Sequence, residues 1–247
     1  MKHISIERLK EYAILASIPS LRPNLKRVQS EGLETLLDYR RLGMLVAALR
    51  YSASIKGDVI EFGSFRGGSA GLMLQYLPSD KRIHVCDSFE GMPDVVEEDN
   101  FHRKGDFSDT TAERVERGLR SLSSNFQLHI GFFKQTLQVM EKNTDLTFSF
   151  AHIDVDLYES VKEALEFCYS RMGHGSVIIF DDYGAPTCLG AKQAVDEFFS
   201  DKREEIVPLS EPAHGCIVGG GDAFRKLGKH LGPLTFLQVM RDWIFTK

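Results

Sequence analysis

The chain has 247 residues, 43% of them hydrophobic and 26% charged, a balance that excludes a disordered tail, a collagen-like repeat and a coiled coil. Acids number 35 and bases 30, for a net charge of −5, which excludes a nucleic-acid binder on bulk charge. At roughly 150 residues per domain, the length predicts one large domain or two small ones.

The first residues lack the apolar run of a signal peptide, and no stretch reaches the roughly 18 apolar residues of a membrane span. The four cysteines, Cys86, Cys168, Cys188 and Cys216, form no CxxC pair and no metal-ligand spacing. The expectation is a cytoplasmic protein without a membrane partner. Residues 1–56 read as an N-terminal helical extension. Leu33, Leu36, Leu37, Met44, Leu45 and Leu49 recur at near-helical spacing, with Glu34, Arg40 and Arg41 on the opposite face. The helical N-terminus is a candidate dimer arm in a homo-oligomer.

From residue 57 to 247 the texture changes to one α/β domain. Asp58 to Gly63 is a short apolar run ending in glycine, followed by Arg66-Gly67-Gly68-Ser69 and a helical stretch over 70–74. Strand candidates follow at 82–87, 126–130, 147–154 and 176–181, and helices at 136–142, 157–171 and 191–199. Weaker strands lie at 205–209 and 215–218. Near-continuous apolar strands alternating with helices predict a mostly parallel sheet covered on both faces. Between the second and third strands, Gly91 to Thr111 is acidic and without periodicity. It is longer than an ordinary connection, and is expected to be a lid.

Four of the five main strands finish in or beside an acid: Glu61, Asp87, Asp154 and the pair Asp181-Asp182. In a parallel sheet these ends share one edge, where ligands bind. Carboxylates gathered there call for a cation, a cationic ligand or hydrogen-bond donors. The first turn, Glu61-x-Gly63-x-x-x-Gly67-Gly68-Ser69, lacks the glycine spacing of a dinucleotide fingerprint, and its acid would repel a pyrophosphate. Asp87 is placed for ribose hydroxyls, or else caps a turn. Together, Glu61 and Asp87 suggest a cationic nucleoside without phosphates, S-adenosylmethionine. Asp154, Asp156, Asp181 and Asp182 make an oxygen-rich set that selects Mg²⁺ or Mn²⁺ over zinc. Asp156 also reads as a helix N-cap with Glu159 as its capping-box acid. His152 reads as a core histidine, and Phe132 and Phe133 as core or as a platform for adenine.

Five blocks carry a family resemblance: Glu61 to Ser69, Asp87-Ser88-Phe89-Glu90-Gly91-Met92-Pro93, Gly131 to Leu137, His152 to Ser160 and Ile178 to Gly184. From about Glu34 to Phe199 the chain resembles the macrocin (TylF-type) O-methyltransferases, which methylate sugar hydroxyls of natural products. The resemblance implies a Rossmann-like class I methyltransferase fold using S-adenosylmethionine and Mg²⁺ (or Mn²⁺). It implies Asp154, Asp181 and Asp182 as metal ligands and Asp156 as general base. It further implies cofactor contacts from Glu61, Gly63, Ser69, Asp87, Ser88, Asp106, Phe132 and Asp154. The expected partner is a small hydroxylated molecule, a sugar moiety above all. The tail after Ser200 lies outside the resemblance. Two rival readings are a non-catalytic S-adenosylmethionine- or metal-binding regulatory module and a nicotinamide-dependent dehydrogenase. The glycine spacing and Glu61 speak against the dehydrogenase.

Overall fold

The computed structural model describes residues 13–208 and 216–219. The first twelve residues and most of the tail lie outside that range, so the expectation of a helical start at the N-terminus is followed only from residue 13. Helices α1 (Leu21–Ser30) and α2 (Tyr39–Ser52) precede β1 (Asp58–Phe62), α3 (Gly68–Leu74) and β2 (Ile83–Asp87). Then come α4 (Ala112–Leu122), β3 (Phe126–Ile130), α5 (Phe133–Met140), β4 (Phe148–Ile153) and α6 (Tyr158–Tyr169). β5 (Met172–Phe180), α7 (Leu189–Phe199), β6 (Glu205–Pro208) and β7 (Cys216–Gly219) complete the elements of the described residues.

The seven strands stand in the order β3-β2-β1-β4-β5-β7-β6. The first five are parallel, and β7 runs antiparallel to both its neighbours. Strand residues alternate between two apolar clusters. Val59, Ile83, Val85, Phe150, Val177 and Ile179 face the layer of α1 to α4. Ile60, Phe62, Cys86, Phe148, Ile153 and Phe180 face the layer of α5 to α7. A sheet buried on both faces by right-handed crossovers is the Rossmann-like α/β arrangement expected. Its chain order reverses between β1 and β4, which opens a crevice at their C-terminal ends. Among the described residues no helix is long and apolar enough to cross a membrane.

The described part of the N-terminal segment is not helical throughout. Gly32 takes φ +78° and ends α1, and the chain runs extended until Asp38, which caps α2 by accepting from the Arg40 and Arg41 amides. The near-helical spacing of Leu33, Leu36 and Leu37 therefore does not mark a helix. Leu33 is instead fully buried, its side chain packed where Cβ atoms at Gly67, Gly71 and Gly118 would collide with it. The Glu34 carbonyl accepts from the Gly68 amide at 2.9 Å. A Cβ on Gly68 would lie 2.3 Å from the Glu34 carbonyl carbon. The glycine-rich turn after β1 thus admits the chain's own N-terminal segment, and that backbone is what approaches Gly67 and Gly68.

Helix α4 is absent from the apolar pattern expected above because arginines and glutamates dominate it. Its signals are Thr111, whose hydroxyl accepts from the Arg114 amide, and Val115 and Leu119 buried one turn apart.

The capping of α6 also differs from expectation. Its N-cap position is Leu157, which offers no side-chain acceptor, while Asp156 takes φ +58°. The capping carboxylate comes from the 91–111 loop: both oxygens of Asp99 accept from the Tyr158 amide, at 3.0 and 3.1 Å. Asp156 is thereby released from a capping role, and the loop is tied to the helix that follows β4. Asp99→Ala is expected to lower unfolding stability by about 1 kcal/mol through loss of the cap, read by urea denaturation; an unchanged midpoint would remove Asp99 from this role.

Candidate active site

A cavity of about 790 Å³ opens at the C-terminal ends of β1, β2, β4 and β5. Gly63, Ser69, Asp87, Ser88, Phe132, Asp154, Asp156, Asp181 and Asp182 all line it. The acids scattered along the sequence therefore meet in one place, because each leaves a parallel strand at the same edge.

The β1 and β2 ends form one wall. Asp87 is held by three backbone donors. Its Oδ2 accepts from the amides of Ser64 and Phe65, both at 2.8 Å, and its Oδ1 from Phe89, also at 2.8 Å. Burial raises the Asp87 carboxyl above its usual range, and these amide bonds pull the other way. They also hold Phe65 and Phe89 at positive φ, so Asp87 locks the two turns that shape the wall. The Ser64 hydroxyl is buried on the cavity wall and finds no hydrogen-bond partner among the described residues, a donor directed at a ligand. Gly63, with φ +81°, lets the chain pass the β4 end: a Cβ there would sit 1.8 Å from the Asp154 carbonyl oxygen.

The β4 and β5 ends form the opposite wall. Donor oxygens of Asp154, Asp181 and Asp182 lie within 4.8 Å of one another. Burial pushes the Asp154 carboxyl well above the usual carboxylate range, and the Asp181 charge adds to it. Asp182 is raised likewise, by burial and then by Asp156, Asp154 and Asp181. Carboxylates that oppose one another's ionisation in this way attract a cation. The Asp156 amide donates to Asp182 Oδ2 at 3.0 Å, and the residue, at φ +58°, lines the cavity beside the cluster with its Oδ1 accepting from the Cys188 thiol at 3.2 Å. Burial raises the Asp156 carboxyl too, opposed by the Cys188 hydrogen bond and the nearby His102.

Three residues occupy places the sequence did not indicate. Arg41, expected on the outer face of a helix, crosses to the acidic wall, and its guanidinium pairs with Asp181. Glu61 is displaced from its expected cofactor role. It is fully buried and does not line the cavity. The register pairs it with His152 on the adjacent strand, and His152 Nδ1 lies 3.0 Å from its Oε1. Parallel neighbours on one face meet each other before they reach a ligand. Asp106 also lies outside the cavity, because its carboxylate turns back on its own loop to accept from the Arg103 amide at 3.0 Å.

His152 is a core histidine, as its apolar strand predicts, yet a charged one. Burial alone would depress it. The Asp181 and Glu61 carboxylates flanking it outweigh that and raise it to about 10. Its Nε2 lies 4.0 Å from Asp181 Oδ1. Imidazolium and guanidinium thus face Asp181 from two sides, under and over the carboxylate cluster.

The 91–111 loop covers one side of the cavity. Backbone bonds between Met92 and Asp106 and between Gly105 and Met92 pinch its neck. Met92, Pro93, Asp94, Lys104 and Phe107 contribute to the lining.

Comparison with known proteins adds to this geometry. The family model described as Macrocin-O-methyltransferase (TylF) matches residues 32–211. The demethyldecarbamoylnovobiocin O-methyltransferase of Streptomyces niveus is 33% identical over 172 residues, covering 63% of this chain and 64% of that protein. The mycinamicin III 3''-O-methyltransferase of Micromonospora griseorubida is 27% identical over 182 residues, covering 66% and 69%. The alignment with the novobiocin enzyme therefore spans just under two thirds of that protein. Among solved structures, the O-methyltransferase NovP superposes with a TM-score of 0.66 at 28% identity, over 75% of this chain and 81% of that one.

Proposed function

The chain belongs to the macrocin O-methyltransferase (TylF) family, and from that premise we propose that it is a divalent-metal-dependent O-methyltransferase that uses S-adenosylmethionine to methylate a hydroxyl of a glycosylated natural product. The observation that carries this is the meeting of Asp87 on one wall and of Asp154, Asp156, Asp181 and Asp182 on the other across a single cavity.

S-adenosylmethionine supplies the methyl group on a sulfonium that leaves without its charge. On the chain's side, Asp87 is placed to accept from ribose hydroxyls with the lone pairs its amide donors leave over. The Ser64 and Ser69 hydroxyls lie on the same wall for the polar end of the cofactor, and Phe132 offers a ring face to its base. Ser88 spends its hydroxyl on Gly91, holding the following turn, with the hydroxyl oxygen accepting from Glu90. Glu61 and Asp106 lie outside the cavity lining and are assigned no cofactor contact.

Asp154, Asp181 and Asp182 fit a Mg²⁺ or Mn²⁺ ion, being all-oxygen donors in which burial and mutual repulsion raise the Asp154 and Asp182 carboxyls. Such an ion supplies positive charge that lowers the pKa of a substrate hydroxyl. Asp156, which lines the cavity, takes the hydroxyl proton on its carboxylate. Arg41 and His152 flank Asp181 and hold its orientation. The 91–111 loop shields the reacting groups from water, and with residues before 57 it forms the acceptor side of the cavity. The sugar-bearing acceptor is suggested by the relatives, whose names carry novobiocin and mycinamicin.

The test is a screen of glycosylated polyketides and aminocoumarins with methyl-labelled S-adenosylmethionine, in Mg²⁺ and in EDTA. Labelled product in Mg²⁺ with loss of at least 90% in EDTA is the expected result. Equal turnover in EDTA would remove the metal from the scheme, and label in none of the acceptors would remove the acceptor class.

A further inference from the structure

Next to the oxygen cluster the fold assembles a second group of donors of different chemistry. His102 comes from the 91–111 loop, Asp156 from the turn after β4, and Cys188 from the residue preceding α7. Cys188 Sγ lies 3.2 Å from Asp156 Oδ1 and 3.6 Å from His102 Nε2, and His102 Nε2 lies 3.6 Å from Asp156 Oδ1. A tetrahedral zinc ion has bonds of about 2.3 Å to sulfur and about 2.0–2.2 Å to nitrogen and oxygen, which puts its ligand atoms about 3.3–3.6 Å apart. The three donors therefore already outline one face of a zinc tetrahedron, within a few tenths of an ångström.

The donors are also sheltered, the His102 side chain being 9% exposed and Cys188 3%. Of the three, Asp156 lines the cavity, so the group adjoins it.

We infer that His102, Asp156 and Cys188 form a zinc site, separate from the Asp154–Asp181–Asp182 cluster, and that zinc bound there shuts the enzyme down. One thiolate and one imidazole select a softer ion than the neighbouring carboxylates do, so Mg²⁺ and Zn²⁺ sort to different donors. On binding, the Cys188 thiol proton passes to solvent. Zinc would occupy the Asp156 oxygen and bind the 91–111 loop to the start of α7 through His102. Inhibition rests on the Asp156 assignment in the proposed function; zinc binding does not.

The experiment uses the full chain and Co²⁺ as a spectroscopic stand-in for zinc. One equivalent of Co²⁺, added in excess Mg²⁺, should give thiolate-to-cobalt charge transfer and the intense visible bands of a tetrahedral ion. One equivalent of Zn²⁺ should abolish both. Cys188→Ala should lose the charge-transfer band, and His102→Ala should weaken zinc binding at least 10-fold with its thermal melting otherwise retained. No charge-transfer band in the wild type, or the same band in Cys188→Ala, would overturn the site. In the methyl-transfer assay with Mg²⁺, stoichiometric zinc should inhibit the wild type and spare His102→Ala. Zinc bound with turnover intact would overturn the coupling to Asp156. A chain inactive before zinc is added would instead refute the proposed function, and the cobalt spectrum would still decide the site.

Discussion

Asp156→Asn is expected to lower kcat by on the order of 10²–10⁴-fold, the usual worth of a positioned base, while S-adenosylhomocysteine affinity stays within about twofold. Three features isolate this effect. Asparagine tolerates the φ of +58° that residue 156 adopts. The bond from the residue 156 amide to Asp182 is made by backbone and survives the change. The α6 amide bound by Asp99 does not depend on residue 156 at all. An amide in place of the carboxylate removes the proton acceptor and little else. Single-turnover rates with saturating cofactor check it, and a rate within threefold of the wild type would remove Asp156 from the chemistry.

Gly63→Ala should have the largest effect on stability of any single methyl in the site. The added Cβ meets the Asp154 carbonyl oxygen at 1.8 Å and its carbonyl carbon at 2.8 Å, both backbone atoms, at a φ of +81°. The β1 and β4 ends must then separate, and they carry both walls of the cavity. The expected cost is about 3 kcal/mol or more, combining left-handed strain with a clash that no rotamer relieves. Gly32→Ala is the matched control. Its φ is +78° with nothing within 4 Å of the added carbon, so it should lose only the backbone component of about 1–2 kcal/mol. Equal losses in the two variants, measured by denaturant unfolding, would show that the approach of Asp154 to Gly63 does not matter.

These variants bear on what a sequence discloses. The four inner parallel strands are legible because a strand buried on both faces is mostly apolar, and their terminal acids stand out against that background, whereas β3 lies half exposed at the sheet edge. Topology then places Asp87, Asp154, Asp181 and Asp182 together without any knowledge of side chains. Helix α4 is less legible because its exposed face is charged and only Val115, Leu119 and their neighbours mark the buried one. Leu33 reads as helical because spacing alone cannot see Gly32 reverse the chain.

Contacts between distant segments are hidden for a different reason. Arg41 has a side chain long enough to leave the face its helical phase assigns and reach Asp181, 140 positions away. Glu61 looks like a cofactor ligand from its place at a strand end. Only the β1–β4 register brings His152 beside it. Asp99 sits in an acidic loop that resembles solvated surface, and its capping of Tyr158 spans 59 residues. In each case the local pattern is intact, and a long-range partner decides the role.

In the proposed function the acids at one sheet edge divide between a cationic nucleoside and a divalent ion. Titration calorimetry of the full chain with S-adenosylhomocysteine, repeated with Asp87→Ala and with NAD as competitor, tests it most directly. One site per chain is expected, with affinity falling at least 10-fold in Asp87→Ala and no displacement by NAD. No heat of binding, or displacement by NAD, would contradict it.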